Sequence, residues 1–219
     1  DTEPFVSPAG IGSSYPMLAI APNGDVAVSW TDDLVGSSDL FVRVLSHTGP
    51  AWSTTQNLQA VCRDPAPQDM AFTATSTLVL TYASCEGSDH SAWGAMAVLR
   101  TAAGSTSTQP TLSDSIALGA RVAITTAGDI VATWTGVTPH PTYWVDTNSL
   151  AFGGAWGIRS SPLTFGPNIG FGGAPIALPG GGAMLPYLVG PAEGTLLPRV
   201  KIWTAGTWQR SNLLETGYA

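Results

Sequence analysis

A single segment recurs four times along this chain at intervals of about 52 residues. Each copy ends in an aromatic residue, and the intervals between these residues are 52, 52 and 53: Trp30, Tyr82, Trp134 and Tyr187. A repeated unit of strand-like sequence near this length cannot bury its faces alone and must stack against its neighbours. The repeat therefore predicts an architecture of similar sheets placed side by side.

Each copy has the pattern of four strands joined by tight turns. An apolar run meets an Asn-Gly or Gly-Gly turn, as at Asn23-Gly24, which is a strong hairpin signal. The next run alternates into the aromatic residue, and a third and a more polar fourth run follow. Four antiparallel strands in a repeat of this size are typical of a propeller blade. We therefore predict an all-β fold, a β-propeller of four four-stranded repeats that forms a small ring or part of a ring completed by another chain.

We predict that residues 1–219 form one domain, because the repeat runs the length of the chain. The predicted units are residues 14–65, 66–117, 118–171 and 172–219, with approximate bounds. Residues 1–13 align with the fourth-strand segment 53–65 and are predicted to form an extra outer strand. This strand either joins the last unit and closes the ring, or the unpaired edges meet a second chain. We favour a closed or nearly closed small ring.

The connection between the third and fourth predicted strands resembles a known motif. The segments 45–52 (LSHTGPAW) and 149–156 (SLAFGGAW) are similar to the Asp-box of sialidase-type β-propellers, which has Ser, Asp, Gly, Thr and Trp at fixed spacing. The matching residues in the second segment are Ser149, Gly153 and Trp156. The departures are His47 and Ala151 at the Asp position and Ser107 at the Trp position of repeat two. The resemblance implies the propeller fold and no chemistry, because the Asp-box of that family lies away from the active site.

The sialidase family also implies a catalytic set that this chain does not visibly supply. That set has three arginines for the substrate carboxylate, a Tyr with a Glu partner and an Asp acid/base, on a domain of six blades. Arg43 and Arg199 each lie nine residues before a Trp, so their placement follows the repeat. Nucleophile-elbow, zinc-protease and P-loop motifs are absent from the sequence. We predict no catalytic residues and favour binding over catalysis.

Composition and charge limit the classes of partner that the protein can bind and indicate the cellular compartment in which it acts. The net charge is −7 and only 11% of residues are charged, which excludes nucleic acid as a partner, because phosphate binding needs a basic surface. The most apolar stretch, 166–190, is interrupted by Gly and Pro, so no membrane span is predicted. A single lysine and the lack of an initiating Met suit a mature secreted or extracellular protein.

The chain has two cysteines, Cys62 and Cys85. Cys62 precedes repeat two and Cys85 follows the second strand of that repeat, so both are expected at the same end of one blade. A disulfide between them is predicted, with two buried free thiols as the alternative.

Loops that follow the second strands and that join the units share one face of a propeller, where ligands usually bind. The repeated aromatic residues are interpreted either as packing between blades or as a platform for a ligand. The candidate ligand-binding residues are Trp30, Asp32, Asp33, Tyr82, Glu86, Trp134, His140, Tyr187, Glu193, Asp69 and Arg121. Trp93 and Trp144 are alternatives, because they break the repeat pattern.

Two further patterns concern charged residues. Asp69 and Arg121 lie 52 residues apart, at the same repeat position, and are expected to form an ion pair between adjacent blades or a ligand-binding pair. The loop containing Asp32, Asp33 and Asp39 could bind Ca²⁺, although its spacing matches no calcium loop and solvated charge is the alternative. The three histidines have no metal-ligand spacing, so we predict no metal site and no resident cofactor.

Aromatic residues beside acidic loops in every repeat favour recognition of a carbohydrate, since sugar sites combine flat apolar surfaces with groups that bind hydroxyls. We therefore predict a secreted, lectin-like propeller that binds a cell-surface glycan. One alternative is a protein-interaction or structural module of a larger assembly, including a homo-oligomer. The other is a sialidase-like glycoside hydrolase or lyase, in which Asp32 or Asp33 pairs with Glu86 or Glu193.

Overall fold

The structure is a computed structural model, and its regular elements are all strands. It describes residues 12–34, 37–49, 51–61, 67–86, 92–100, 106–108, 117–137, 143–150, 157, 160–164, 169–190, 196–209 and 212–213. Within these ranges there is no helix, and four antiparallel sheets follow one another in chain order. The predicted all-β fold is confirmed.

Each sheet is built from one stretch of sequence. Sheet 1 comprises β1 (Gly12–Ile20), β2 (Val26–Leu34), β3 (Ser37–Leu45) and β4 (Gln56–Val61). Sheet 2 comprises β5 (Pro67–Phe72), β6 (Leu78–Glu86), β7 (Ala92–Arg100) and β8 (Thr106–Thr108). Sheet 3 comprises β9 (Ala117–Ile124), β10 (Ile130–Val137), β11 (Tyr143–Leu150) and β12 (Ser160–Thr164). Sheet 4 comprises β13 (Ile169–Gly172), β14 (Ile176–Ala177), β15 (Ala183–Gly190), β16 (Leu197–Thr204), β17 (Thr207–Trp208) and β18 (Asn212–Leu213).

The turn between the first two strands has the same geometry in every sheet. A three-residue loop is closed by backbone hydrogen bonds, and its third residue has positive φ, which is the bulged three-residue hairpin. That residue is Gly24, Ser76, Gly128 or Gly181, with φ of 88°, 58°, 90° and 86°. The conserved geometry explains why the sequence repeat is strongest around this turn.

The first strands of the sheets lie side by side. Strand β1 contacts β5, β5 contacts β9, and β9 contacts β14, while β11 also contacts β13. Apolar side chains fill each space between successive sheets, and the first such cluster joins Leu40 and Val42 of sheet 1 to Leu80 and Tyr82 of sheet 2. Similar clusters join sheet 2 to sheet 3 and sheet 3 to sheet 4. Each sheet therefore buries a face against the next one, as the repeat predicts.

The structure differs from the predicted units in three places. In sheet 4 the first strand is split into β13 and β14, and the register with β15 shifts by one residue between Gly172↔Tyr187 and Ile176↔Met184. The fourth strand of that sheet is also split, with β17 and β18 both paired to β16. Gly12 and Ser13 lie in β1, paired with Asp33 and Asp32, whereas residues 1–11 fall outside the described ranges. The described residues contain no closed sheet, so a closed four-unit ring stays a prediction.

Candidate functional site

The acidic candidates of sheets 1 and 2 lie at the ends of second strands. Asp32 and Asp33 are near the end of β2, and Asp32 is paired with Asp39 of β3. Glu86 is the last residue of β6 and is paired with Ala92 of β7. The sheet register therefore places both acidic segments beside the loops that join second and third strands. The structure describes the backbone of these residues but not their side chains.

Neighbouring sheets are aligned so that equivalent repeat positions meet. The Asp69 Oδ2 atom of β5 accepts a hydrogen bond from the Val122 N–H of β9 at 2.9 Å, a separation of 53 residues. At the other end of the next interface, the Thr126 hydroxyl donates to the Pro179 oxygen at 3.4 Å, again 53 residues away. Corresponding strand ends in adjacent sheets therefore lie on the same side of the molecule.

The four repeated aromatic residues are buried, and Trp30 lies on the face of sheet 1 that is turned away from sheet 2. Their exposed fractions are at most 6%: Trp30 3%, Tyr82 0%, Trp134 1% and Tyr187 6%. Trp30 stacks on Phe41 of the adjacent strand, with ring centroids 5.8 Å apart and an interplanar angle of 20°. Burial raises the pKa of Tyr82 to about 12, because the phenolate would lose its hydration. This burial matches the packing interpretation, and a ligand-binding role for these rings stays a prediction.

Asp69 binds two backbone amides at the interface of sheets 2 and 3. Its Oδ1 atom accepts from the Met70 N–H at 2.9 Å, and its Oδ2 atom accepts from Val122. Burial raises the pKa of this carboxyl, and the two amide hydrogen bonds and the charge of Arg121 oppose that rise. The hydrogen bonds of the carboxylate to Met70 and Val122 go to the backbone, and the ion pair or ligand-binding pair with Arg121 stays a prediction.

A buried hydroxyl supports the same interface. Thr81 of β6 is fully buried, and its Oγ1 atom lies 3.3 Å from the Ala120 oxygen of β9. The same hydroxyl lies 3.4 Å from the Asp69 oxygen. Asp69 and Thr81 together bind backbone groups of two neighbouring sheets and so connect sheet 2 to sheet 3.

The remaining candidates cannot be located as side chains. His140, Glu193 and Cys62 lie outside the described residues, and the Cys85 side chain does as well although its backbone lies in β6. The Cys62–Cys85 disulfide therefore stays a prediction. Among the residues whose placement is described, no group of three or more His, Cys, Asp or Glu could hold a metal ion. Those same residues include no helix long and apolar enough to span a bilayer.

Sequence reasoning missed an ionic contact at the opposite end of sheet 1. The Asp25 Oδ1 atom accepts from the His47 backbone N–H at 2.9 Å and lies 2.8 Å from His47 Nδ1. Asn23 donates its side-chain amide to Asp25 Oδ2 at 3.0 Å. The hydrogen bonds from His47 and Asn23 lower the pKa of Asp25 to about 2. The available signal was that His47 occupies the Asp position of the Asp-box-like segment.

A shallow hollow in sheet 4 was also not predicted. Its volume is about 230 Å³, and its lining residues are Gly172, Gly173, Pro186, Tyr187, Leu188, Pro198 and Arg199. Tyr187 packs toward Val145 of sheet 3, so the alternating residues Pro186 and Leu188 point to the other side of sheet 4. The hollow therefore opens on the face of sheet 4 that is turned away from sheet 3.

Comparison with known proteins identifies the fold and not a family. No family model and no curated protein matches the sequence. A Hadza microbial sialidase has a similar structure, with a TM-score of 0.61, 15% identity and coverage of 94% of this chain and 46% of the sialidase chain. An α-L-arabinanase of Penicillium chrysogenum, complexed with arabinobiose, has a TM-score of 0.56 and 14% identity, and covers 90% of this chain and 66% of its own.

An ulvan lyase bound to -[GlcA(1-4)Rha3S]- is similar as well, with a TM-score of 0.57 and 10% identity. That comparison covers 93% of this chain and 58% of the lyase. This chain has a sialidase-like propeller-type fold. It spans between about half and two thirds of the length of these three proteins.

Proposed function

We propose that this chain is a carbohydrate-binding module with a propeller-type fold. The observation that carries the proposal is the alignment of sheets 1 and 2, whose first strands β1 and β5 pack side by side with one apolar cluster between the two sheets. This alignment brings the acidic ends of β2 and β6 to one side of the molecule, where loops from several sheets can meet one ligand. The sialidase, arabinanase and lyase that share the fold support a saccharide as that ligand.

The charge of the chain favours a neutral saccharide. Carboxylates such as those of Asp32, Asp33 and Glu86 accept hydrogen bonds from sugar hydroxyls, and charge makes these bonds stronger. They would repel the carboxylate or sulfate of an acidic glycan, and the net charge of −7 would add to that repulsion. A neutral pentose or hexose oligomer, of which arabinobiose is an example, is therefore the better fit than a uronate or sialylated glycan.

Titration calorimetry with matched neutral and anionic oligosaccharides tests the proposal. We expect binding of arabino-oligosaccharides at millimolar concentration or better, and at least tenfold weaker binding of glucuronate-containing or sialylated ones. The double variant Asp32→Ala/Asp33→Ala and the single variant Glu86→Ala should each lose binding by tenfold or more.

The control is Asp25→Asn, which alters a carboxylate at the opposite end of sheet 1 and should bind as the unmodified chain does. The absence of binding to a broad panel of neutral oligosaccharides would refute the proposal. Equal losses in Asp25→Asn and in the strand-end variants would show a general loss of folding and would also count against the assigned surface.

A glycoside hydrolase is the second candidate function. The observation that favours it is the presence of acidic residues at the ends of β2 and β6, second strands of adjacent sheets, since two carboxylates on either side of a bond are the usual hydrolytic pair. Release of reducing ends from arabinan would detect it. Removal of one catalytic carboxylate should then reduce kcat by at least a hundredfold, while the affinity for the sugar is retained. The variants to test are Asp32→Asn, Asp33→Asn, Glu86→Gln and Glu193→Gln.

A further inference from the structure

The outward face of sheet 4 exposes repeat positions whose residues are buried in sheets 1, 2 and 3. Ala27, Val79 and Val131 occupy one repeat position on the face directed to the next sheet, and each is 0% exposed. The equivalent residue of sheet 4 is Met184, which is only partly buried. Its cross-strand partner Ile176 is 48% exposed. Sheet 4 therefore has the residues of an inter-sheet face, but no described sheet covers it.

The same outward face is apolar and recessed. Leu188 is 39% exposed and is paired with Pro198, so both lie on this side of the sheet. The hollow of about 230 Å³ lies between them and Pro186. A recess bordered by apolar side chains suits insertion of side chains from a packed sheet, as occurs at each interface within the chain.

Strand β1 of sheet 1 exposes apolar side chains on its opposite face, although Trp30 of β2 on that same face is buried (3%). Met70 of sheet 2 and Val122 of sheet 3 pack against the preceding sheet and are 7% and 6% exposed. The equivalent residue of sheet 1 is Leu18, which is 62% exposed, and Ile20 on the same face is 65% exposed. Strand β1 therefore presents the first-strand part of the receiving half of an inter-sheet interface.

The chain thus carries both halves of an interface that it forms three times internally. We propose that these two faces bind a second copy of this chain, with the outward face of sheet 4 of each copy packed against the free face of sheet 1 of the other. The partner is argued from self-complementarity, because the surface that fits sheet 4 elsewhere in the repeat is present on the chain itself. Two such contacts close a two-fold pair of eight sheets, which is within the range of known propellers.

The mass in solution tests this arrangement. Sedimentation equilibrium of the whole chain should give twice the 22.6 kDa of one chain. Leu18→Lys and Leu188→Lys place a charge on the two free faces, and each should weaken the association by at least tenfold. The matched control is Leu197→Lys, a leucine whose exposed fraction (51%) lies between those of the two test residues. Leu197 is paired with Val189 on the side of sheet 4 facing sheet 3, so the variant should leave the mass unchanged.

Mixing the two face variants distinguishes this arrangement from other dimers. In a mixed dimer of the Leu18→Lys and Leu188→Lys variants, both substitutions fall in the same one of the two contacts, and the other contact is unaltered. The mixture should therefore form more dimer than either variant alone. Circular dichroism confirms that each variant is folded. A single-chain mass for the unmodified protein, as expected for a ring closed within one chain or completed by other sheets, would overturn the proposal. A dimer that survives Leu188→Lys, or a ladder of larger species, would overturn it as well.

Discussion

At the scale of single residues, Asp25 joins two turns at one end of sheet 1. Its carboxylate accepts hydrogen bonds from His47 and Asn23, and these bonds lower its pKa to about 2. His47 lies where the Asp-box has its aspartate, so in this sheet the carboxylate is supplied by the other hairpin. Because this contact depends on the approach of two turns 22 residues apart, the sequence alone did not predict it.

This contact predicts how stability changes with pH. The folded pKa of Asp25, about 2, lies below its ordinary value of 3.8, so the stabilisation is present above about pH 4 and is lost as the pH falls toward 2. Asp25→Asn should lower the melting temperature at pH 6 and make little difference at pH 2. Thermal unfolding followed by circular dichroism at several pH values measures both. Melting curves that differ equally at every pH would contradict this account.

Ser76 is expected to limit stability through its backbone. It has φ of 58° at the position where the other three turns have glycine. The left-handed backbone conformation of a non-glycine residue costs about 1 kcal/mol or more of folding free energy. Ser76→Gly should therefore raise stability by about 1 kcal/mol and the melting temperature by about 2–4 °C.

The converse change is the control for Ser76. Gly24→Ala should be destabilising, both because φ is 88° and because the new Cβ would lie 3.2 Å from the Cβ of His47. A neutral or destabilising Ser76→Gly, measured by urea denaturation, would show that positive φ at this turn carries no cost here.

At the scale of elements, Asp69 is expected to hold β5 and β9 together. Asp69→Ala leaves the amides of Met70 and Val122 without this acceptor, at a cost of about 1–3 kcal/mol for each buried group. Asp69→Asn keeps one oxygen acceptor and removes the cost of burying a charge, so it should destabilise the protein much less. Denaturant unfolding measures both variants. If Asn is as damaging as Ala, a single retained acceptor is of little value, and either the second amide contact, which the Asn NH2 group cannot accept, or the charge of Asp69 dominates this site.

Strand order and turns could be predicted from the sequence, because both follow local pattern. The alternation into Trp30 and Trp134 marks second strands, and the glycine turns mark their starts. The division of the first strand of sheet 4 was not predicted, since it coincides with a one-residue shift in its register with β15, which the sequence pattern does not mark. Bonds between sheets, such as that of Asp69, were also beyond the sequence, because register across a tertiary interface leaves no periodic signal.

At the scale of the whole molecule, successive sheets pack through their first strands and hold equivalent positions in register. That arrangement gives the molecule two different ends. One end carries the repeated turns with Asp25 and His47, and the other carries the acidic ends of β2 and β6. That the candidate loops share one face was predicted from the propeller fold, whereas the contacts between side chains of different sheets were not, because they depend on how the sheets are aligned.

Hydrogen exchange on the whole chain, with and without a neutral arabino-oligosaccharide, tests the central claim that sugar binds at the acidic strand ends. The account predicts slower exchange in residues 31–40 and 83–93 on addition of the sugar, with no change in the turns at residues 21–25 and 46–49. Protection confined to the turns, or exchange that is unchanged throughout at saturating sugar, would contradict it.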